Sequence, residues 1–231
     1  SKFIEKYENK VSSKLDAVIT ATPFIRDRFL KINHNTIDIN NFPLEKEIML
    51  KDIIPNNFDT ANICYIGGLT EIRGIKEVIQ AMGSCPNSTL KLAGEFTPIG
   101  FREAVKKETG WDRIEELGFI SRDEAIQLKS KSIAGIVTFL PEENHINAQP
   151  NKIFEYMASG LPVIGSNFPL WKTIIEDNDA GICVDPLKPK EISDAINYLI
   201  SNPEKAKEMG ENGKKMVIEK YNWDNEKKKL I

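Results

Sequence analysis

Histidine and cysteine are scarce in this sequence, and no long apolar run occurs. Only two His and three Cys stand among 231 residues. Cys64, Cys85 and Cys183 are far apart and form no C-x-x-C pair. They read as reduced packing residues of a cytoplasmic protein. The longest apolar runs are strand-sized, such as IAGIV at 133–137. A membrane-spanning helix needs roughly 18–20 apolar residues, so none is expected. A dominant charge of one sign is also missing. The 31 Lys and Arg nearly balance the 34 Asp and Glu, for a net charge of −3. That gives no support for a nucleic-acid partner. No secretory signal pattern is visible. The opening SKFIEKYENKV reads as mid-helix, so the expectation is a piece of something longer.

What is present is ordinary for a soluble globular protein, at 41% hydrophobic and 28% charged residues. The elements alternate. LDAVITA (15–21) and NTIDIN (35–40) read as short strands, with PFIRDRFL (23–30) a helix that starts at Pro. The irregular text from 41 to 60 reads as a linker. A second series opens with the strand NICYIGG (62–68). Ile75, Val78, Ile79 and Met82 then mark one helical face. Strands follow at 89–94, 114–120, 133–139, 162–166 and 181–185. Between them lie helices around 101–105, from the capping-box sequence SRDE (121–124), from Pro150 to a closing Gly160 and over 169–176. The apolar run at 133–139 has no polar alternation, so it reads as buried on both faces. Ile192, Ala195, Ile196, Leu199 and Ile200 mark a late amphipathic helix, and a charged helical tail follows from 203. This alternation predicts an α/β fold with a parallel sheet. Ligands in such sheets lie beyond the carboxyl ends of the strands. That rule selects loops 67–74, 94–98, 118–121, 140–151 and 166–169.

The stretch PNKIFEYMASGLPVIGSN (150–167) carries two charges a packing helix does not need. Pro150 suits a first helical position. The amides of Asn151 and Lys152 are then free helix-start donors, which attract phosphate, and Lys152 adds a full charge. Glu155 would repel phosphate but suits a vicinal diol such as a ribose. Alternatively, Lys152 and Glu155 form only an exposed i, i+3 pair. In YIGGLTEIRGI (65–75), Gly67 and Gly68 permit close backbone approach and Arg73 can grip a phosphate. A tight turn with a solvated Arg is the plainer reading of that loop. Together the two loops favour a diphosphate ligand.

NICYIGGLTEIRGIKEVIQAM and PNKIFEYMASGLPVI resemble the two donor-site segments of glycosyltransferase family 4. Those enzymes have the GT-B architecture, two Rossmann-like domains facing across a cleft. By this resemblance residues 61–205 form the nucleotide-sugar-binding domain, a Rossmann-like parallel sheet. Residues 1–43 are then the remnant of an N-terminal Rossmann-like, acceptor-binding domain, 44–60 a linker, and 206–231 a C-terminal crossing helix. The implied activity is retaining transfer of a sugar from a UDP- or GDP-sugar to a glycan or lipid-linked acceptor hydroxyl, in polysaccharide synthesis. The alternatives are a nucleotide-sugar-binding module or a GT-B-type epimerase.

Residue by residue, the resemblance implies that Arg73 contacts the donor diphosphate and that Asn151 and Lys152 meet the β-phosphate at the helix start. Arg73 and Lys152 would assist departure of the leaving group. Glu155 would hold the ribose, and Gly118, Phe119 and Ile120 would frame the base. Gly67-Gly68 stands where many members have Gly-Arg. Asn147 stands where an acidic residue normally meets the sugar, with His145 nearby as a candidate lining residue or a surface group. No cofactor is implied, and the chemistry is expected to be metal-independent. In agreement, the two His lie far apart and no Asp-x-Asp pair suited to a divalent ion is apparent. The Lys-rich end KKKL (227–230) offers contact with an anionic membrane at the inner face, or is simply a solvated helical face.

Overall fold

The computed structural model describes residues 2–44 and 61–230. The expected linker therefore lies outside the described residues, except for Leu44. Residues 2–44 hold helix α1 (Lys2–Ser12), strand β1 (Val18–Thr20), helix α2 (Pro23–Leu30) and strand β2 (Thr36–Asp38). β1 and β2 pair in parallel, Val18 opposite Thr36. Thr22 caps α2 through its hydroxyl, which accepts from the Ile25 amide at 3.4 Å, and Pro23 begins the helix.

From residue 61 strands and helices alternate: β3 (Ala61–Ile66), α3 (Ile75–Met82), β4 (Ser88–Ala93), α4 (Ile99–Val105), β5 (Ile114–Gly118), α5 (Arg122–Ser130) and β6 (Ala134–Val137). A short α6 (Glu143–Ile146) precedes α7 (Asn151–Ala158). After it come β7 (Val163–Ser166), α8 (Pro169–Ile175), β8 (Gly181–Val184), α9 (Pro189–Ser201), α10 (Pro203–Glu219) and α11 (Trp223–Lys227). β3 to β8 form one parallel sheet in the order β5-β4-β3-β6-β7-β8. The chain winds outward from β3 in one direction and from β6 in the other. This is the Rossmann strand order, with its switch point between β3 and β6.

The apolar patterns account for the layers. Every residue of β6 and β7 is buried, as expected for central strands covered on both faces. The helical face of Ile75, Val78, Ile79 and Met82 is buried in full. Gly135 is needed in β6 because a side chain there would meet the Tyr156 ring at 2.3 Å. Cys64 and Cys85 are buried free thiols, each pushed by that burial up to about 11.

Two expectations need correction. β5 ends at Gly118, short of the expected 120, because Gly118 takes a left-handed turn at φ 63°. The tail is not one continuous helix. Asn222 ends α10 by donating to the carbonyls of Val217 and Ile218 at 3.1 and 2.8 Å, and its Oδ1 caps α11 by accepting from the Asn225 amide. α11 then lies against the segment that follows β2. The Trp223 amide donates to Pro43 O at 3.0 Å, and the buried Glu226 carboxylate accepts from the Asn40 amide at 2.7 Å. The rings of Phe42, Phe154 and Tyr221 pack together at 4.7–5.4 Å.

The Lys-rich end is engaged within the chain. Lys229 pairs with Glu226 and Asp38, Lys228 donates to Asn225, and Lys227 pairs with Asp224. Among the described residues no helix is long and apolar enough to cross a membrane.

Candidate functional site

Two cations meet at the carboxyl edge of the sheet, at the switch point. β3 runs into Gly67 (φ 143°) and Gly68, then a single 3-10 turn over Glu71–Arg73, and Gly74 (φ 71°) starts α3. A side chain at Gly74 would stand 1.9 Å from the Thr138 carbonyl oxygen, so the turn is seated tightly against the end of β6. The positive φ of both glycines is the conformation that L side chains resist. This geometry folds Arg73 back over its own loop. Its Nη1 lies 3.4 Å from the space above both Gly67 and Gly68, and its guanidinium sits 5.4 Å from the Phe139 ring.

Lys152 reaches the same place from the other loop. It sits in the first turn of α7, which follows β6, and its ammonium occupies the space directly over Gly67. The Tyr65 ring lies 6.0 Å below it, and the Tyr65 hydroxyl donates to Gly68 O at 3.0 Å. Burial lowers the Lys152 pKa, and the neighbouring Arg73 lowers it further, while Glu155 opposes both. Two cations thus share one corner, and neither makes an ion pair among the described residues. Like charges held this close raise each other's free energy, and an anion between them would relieve it.

Pro150 is the N-cap of α7 and not its first helical residue, a correction to the sequence reading. Its carbonyl accepts the first bond from the Ile153 amide at 3.1 Å. The amides of Asn151 and Lys152 precede that bond and remain open at the helix start. Glu155 follows one turn on and is exposed. It forms no surface pair with Lys152, whose side chain is turned to Gly67. Instead Glu155 lines a groove of about 140 Å³ between α5 and α7.

The other expected residues share the carboxyl edge of the sheet but are not brought to this corner. Phe119 is 84% exposed and Ile120 half-buried, on the turn after β5. Asn147 lies on the wall of a cleft of about 780 Å³, where Asn144 and Gln149 face Thr22, Phe24 and Arg28 of the N-terminal residues. Neither Arg73 nor Lys152 lines that cleft. His145 is partly buried, with Nδ1 3.0 Å from Leu140 O and its ring 4.9 Å from Phe139, so it shapes the 140–151 loop from within. Trp171 braces the same loop by donating to Ala148 O at 2.8 Å. An Asp-x-Asp triplet does occur, Asp177-Asn178-Asp179, but it precedes β8 at the amino edge of the sheet, and Asp179 is paired with Lys205.

Sequence reasoning missed several residues here. Thr70 Oγ1, Thr138 Oγ1 and Gln149 Oε1 are buried beside the two loops without a hydrogen-bond partner among the described residues. Tyr156 accepts from the Ile66 amide at 3.0 Å, tying α7 to the end of β3. The unexplained Gly135 in the apolar strand was the one signal for that ring.

Comparison with known proteins gives the family. Residues 50–216 match the family model of the glycosyl transferases group 1. An uncharacterized glycosyltransferase of Methanocaldococcus jannaschii is 29% identical over 204 residues, covering 87% of this chain and 51% of the relative. The alpha-D-kanosaminyltransferase of Streptomyces kanamyceticus is 24% identical over 168 residues, covering 71% of this chain and 42% of the relative. The chain thus spans about half the length of the curated relatives it matches. A solved glycosyltransferase from Rickettsia africae superposes with a TM-score of 0.83 at 18% identity, over 100% of this chain and 65% of that one. HepE of Anabaena, solved in complex with UDP, gives 0.77 at 19% identity, over 93% of this chain and 62% of that one. These two superpositions speak for the fold alone, an α/β fold of GT-B type with a six-stranded parallel sheet. With the family model matched over most of its length, the chain belongs to the group 1 glycosyl transferases.

Proposed function

We propose that this chain binds the nucleotide diphosphate sugar for a retaining transfer of that sugar to an acceptor hydroxyl. The observation that carries this reading is the meeting of Arg73 and Lys152 over Gly67 at the switch point. A diphosphate fits there on chemical grounds: two cations, open helix-start amides and a backbone bare of side chains. Transfer leaves negative charge on the departing β-phosphate. Fixed donors aimed at such charge contribute about 3–4 kcal/mol each when well placed. Arg73 and Lys152 take that role without a metal ion. Glu155 holds the ribose diol, Phe119 and Ile120 flank the base, and Asn147 stands toward the sugar. The structures of HepE with UDP and with UDP-glucose favour a uridine donor. An acceptor of glycan type, a role in polysaccharide synthesis and a cytoplasmic setting complete the proposal.

The test is a thermal-shift panel of UDP-, GDP- and ADP-sugars. At a hundred times its dissociation constant the true donor adds about 2.7 kcal/mol, or a rise of about 5–10 °C for a chain of this size. No shift with any of the three removes the reading. Binding without transfer is a second reading, favoured by Asn147 where the family carries an acid. Failure of the whole protein to release sugar from a donor that it binds would select it.

A further inference from the structure

Lys129 is a cation that the donor-site reading leaves unused. It sits in the last turn of α5 and faces α7 across the groove that also holds Glu155. Arg122 lies at the same groove, and Ala125, Ile126 and Ala158 form apolar walls. Lys129 is partly buried, and among the described residues it makes no ion pair. Burial lowers its pKa, and Glu155 is the first of the neighbours that oppose this. A desolvated ammonium without a partner costs free energy unless a nearby carboxylate offsets it. The carboxylate that the groove supplies is Glu155. An exposed Glu, for its part, loses rotamer freedom when it is ordered on a ligand. A cation held behind it by packing removes part of that loss beforehand.

We propose that Lys129 is a positioning residue, which draws the Glu155 carboxylate to the mouth of the α5–α7 groove with its outer oxygens free for a vicinal diol. It thereby sets the preference for ribonucleotide over deoxyribonucleotide donors. This rests on the donor-site reading above. The probes are UDP, GDP and their 2′-deoxy forms, titrated calorimetrically into wild type, Lys129→Met and Lys129→Arg. The same Lys129→Met change is also made in a Glu155→Gln background. Whichever base binds, wild type is expected to prefer the ribo form about tenfold, the scale of one hydrogen bond to a charged group. In Lys129→Met the ratio falls to near unity, and Lys129→Arg restores it. With Glu155→Gln already present, Lys129→Met changes the ratio no further. A wild-type ratio in Lys129→Met overturns the proposal. So does a further drop in the Glu155→Gln background, which would mean that Lys129 contacts the nucleotide directly. Should Lys129→Met fail to fold, Lys129→Gln carries the same readout. Absence of any nucleotide binding by wild type would instead sink the donor-site reading itself.

Discussion

At the scale of the residue, Lys152 is the candidate-site cation whose proton affinity its surroundings lower. Burial lowers its pKa and the Arg73 charge adds to the effect, so the free protein releases this proton more readily than an exposed lysine. A bound diphosphate acts in the opposite sense and raises the pKa again. The sign follows from linkage: a ligand that raises a pKa binds more tightly to the protonated form. Affinity for UDP or GDP is therefore full below the free protein's depressed value and falls as pH rises through the window up to the bound value. Within that window binding takes up a proton. Calorimetry in two buffers of different ionisation enthalpy measures this uptake, and Lys152→Arg is expected to abolish it. Affinity that climbs with pH would contradict the assignment. Arg73, Lys152 and Glu155 were legible in the sequence because each is a charge at a helix or turn boundary where packing requires none. Lys129 was not legible. It lies 26 positions before Glu155, and only the groove that α5 and α7 both line makes them neighbours.

At the scale of the element, local signals read cleanly wherever local bonds decide. The SRDE capping box forms both of its bonds, the Ser121 amide to Glu124 at 2.7 Å and the Glu124 amide to Ser121 Oγ at 3.3 Å. The apolar face of α3 is buried as its period requires. The failures come from a turn or a side-chain cap that periodicity does not show, and from bonds to distant partners. The tail breaks at Asn222 because its side chain serves two helices, and α11 is held by partners nearly the whole chain away. The Glu226 carboxylate accepts from the Asn40 amide, from Asn40 Nδ2 at 3.1 Å and from Lys229 at 2.9 Å. Its side chain is 4% exposed whereas Lys229 is 40% exposed, so the Asn40 bonds carry most of the weight. Glu226→Ala leaves buried donors unsatisfied, and the expected loss is about 2–4 kcal/mol of stability. Thermal unfolding should show it as a midpoint lowered by about 5–10 °C. A midpoint within 2 °C of wild type, about the shift from 1 kcal/mol or less, would mean that water replaces the carboxylate at no cost.

At the scale of the whole molecule, strand order does what no single motif does. Alternation of strands and helices in the sequence implied a parallel sheet, but not which strands are neighbours. The order β5-β4-β3-β6-β7-β8 sets β3 beside β6, and so two loops about 80 positions apart meet over one glycine. The central claim is that this corner grips a diphosphate. It is tested most directly by titrating a nucleoside diphosphate and its parent nucleoside, UDP with uridine and GDP with guanosine, into wild type and into the Arg73→Ala, Lys152→Ala double variant. Two charge-assisted contacts imply that the diphosphate binds wild type at least about a hundredfold tighter than the nucleoside, and that the double variant loses nearly all of this difference. Equal affinity for diphosphate and nucleoside in wild type, or a double variant that keeps the full difference, would contradict the account.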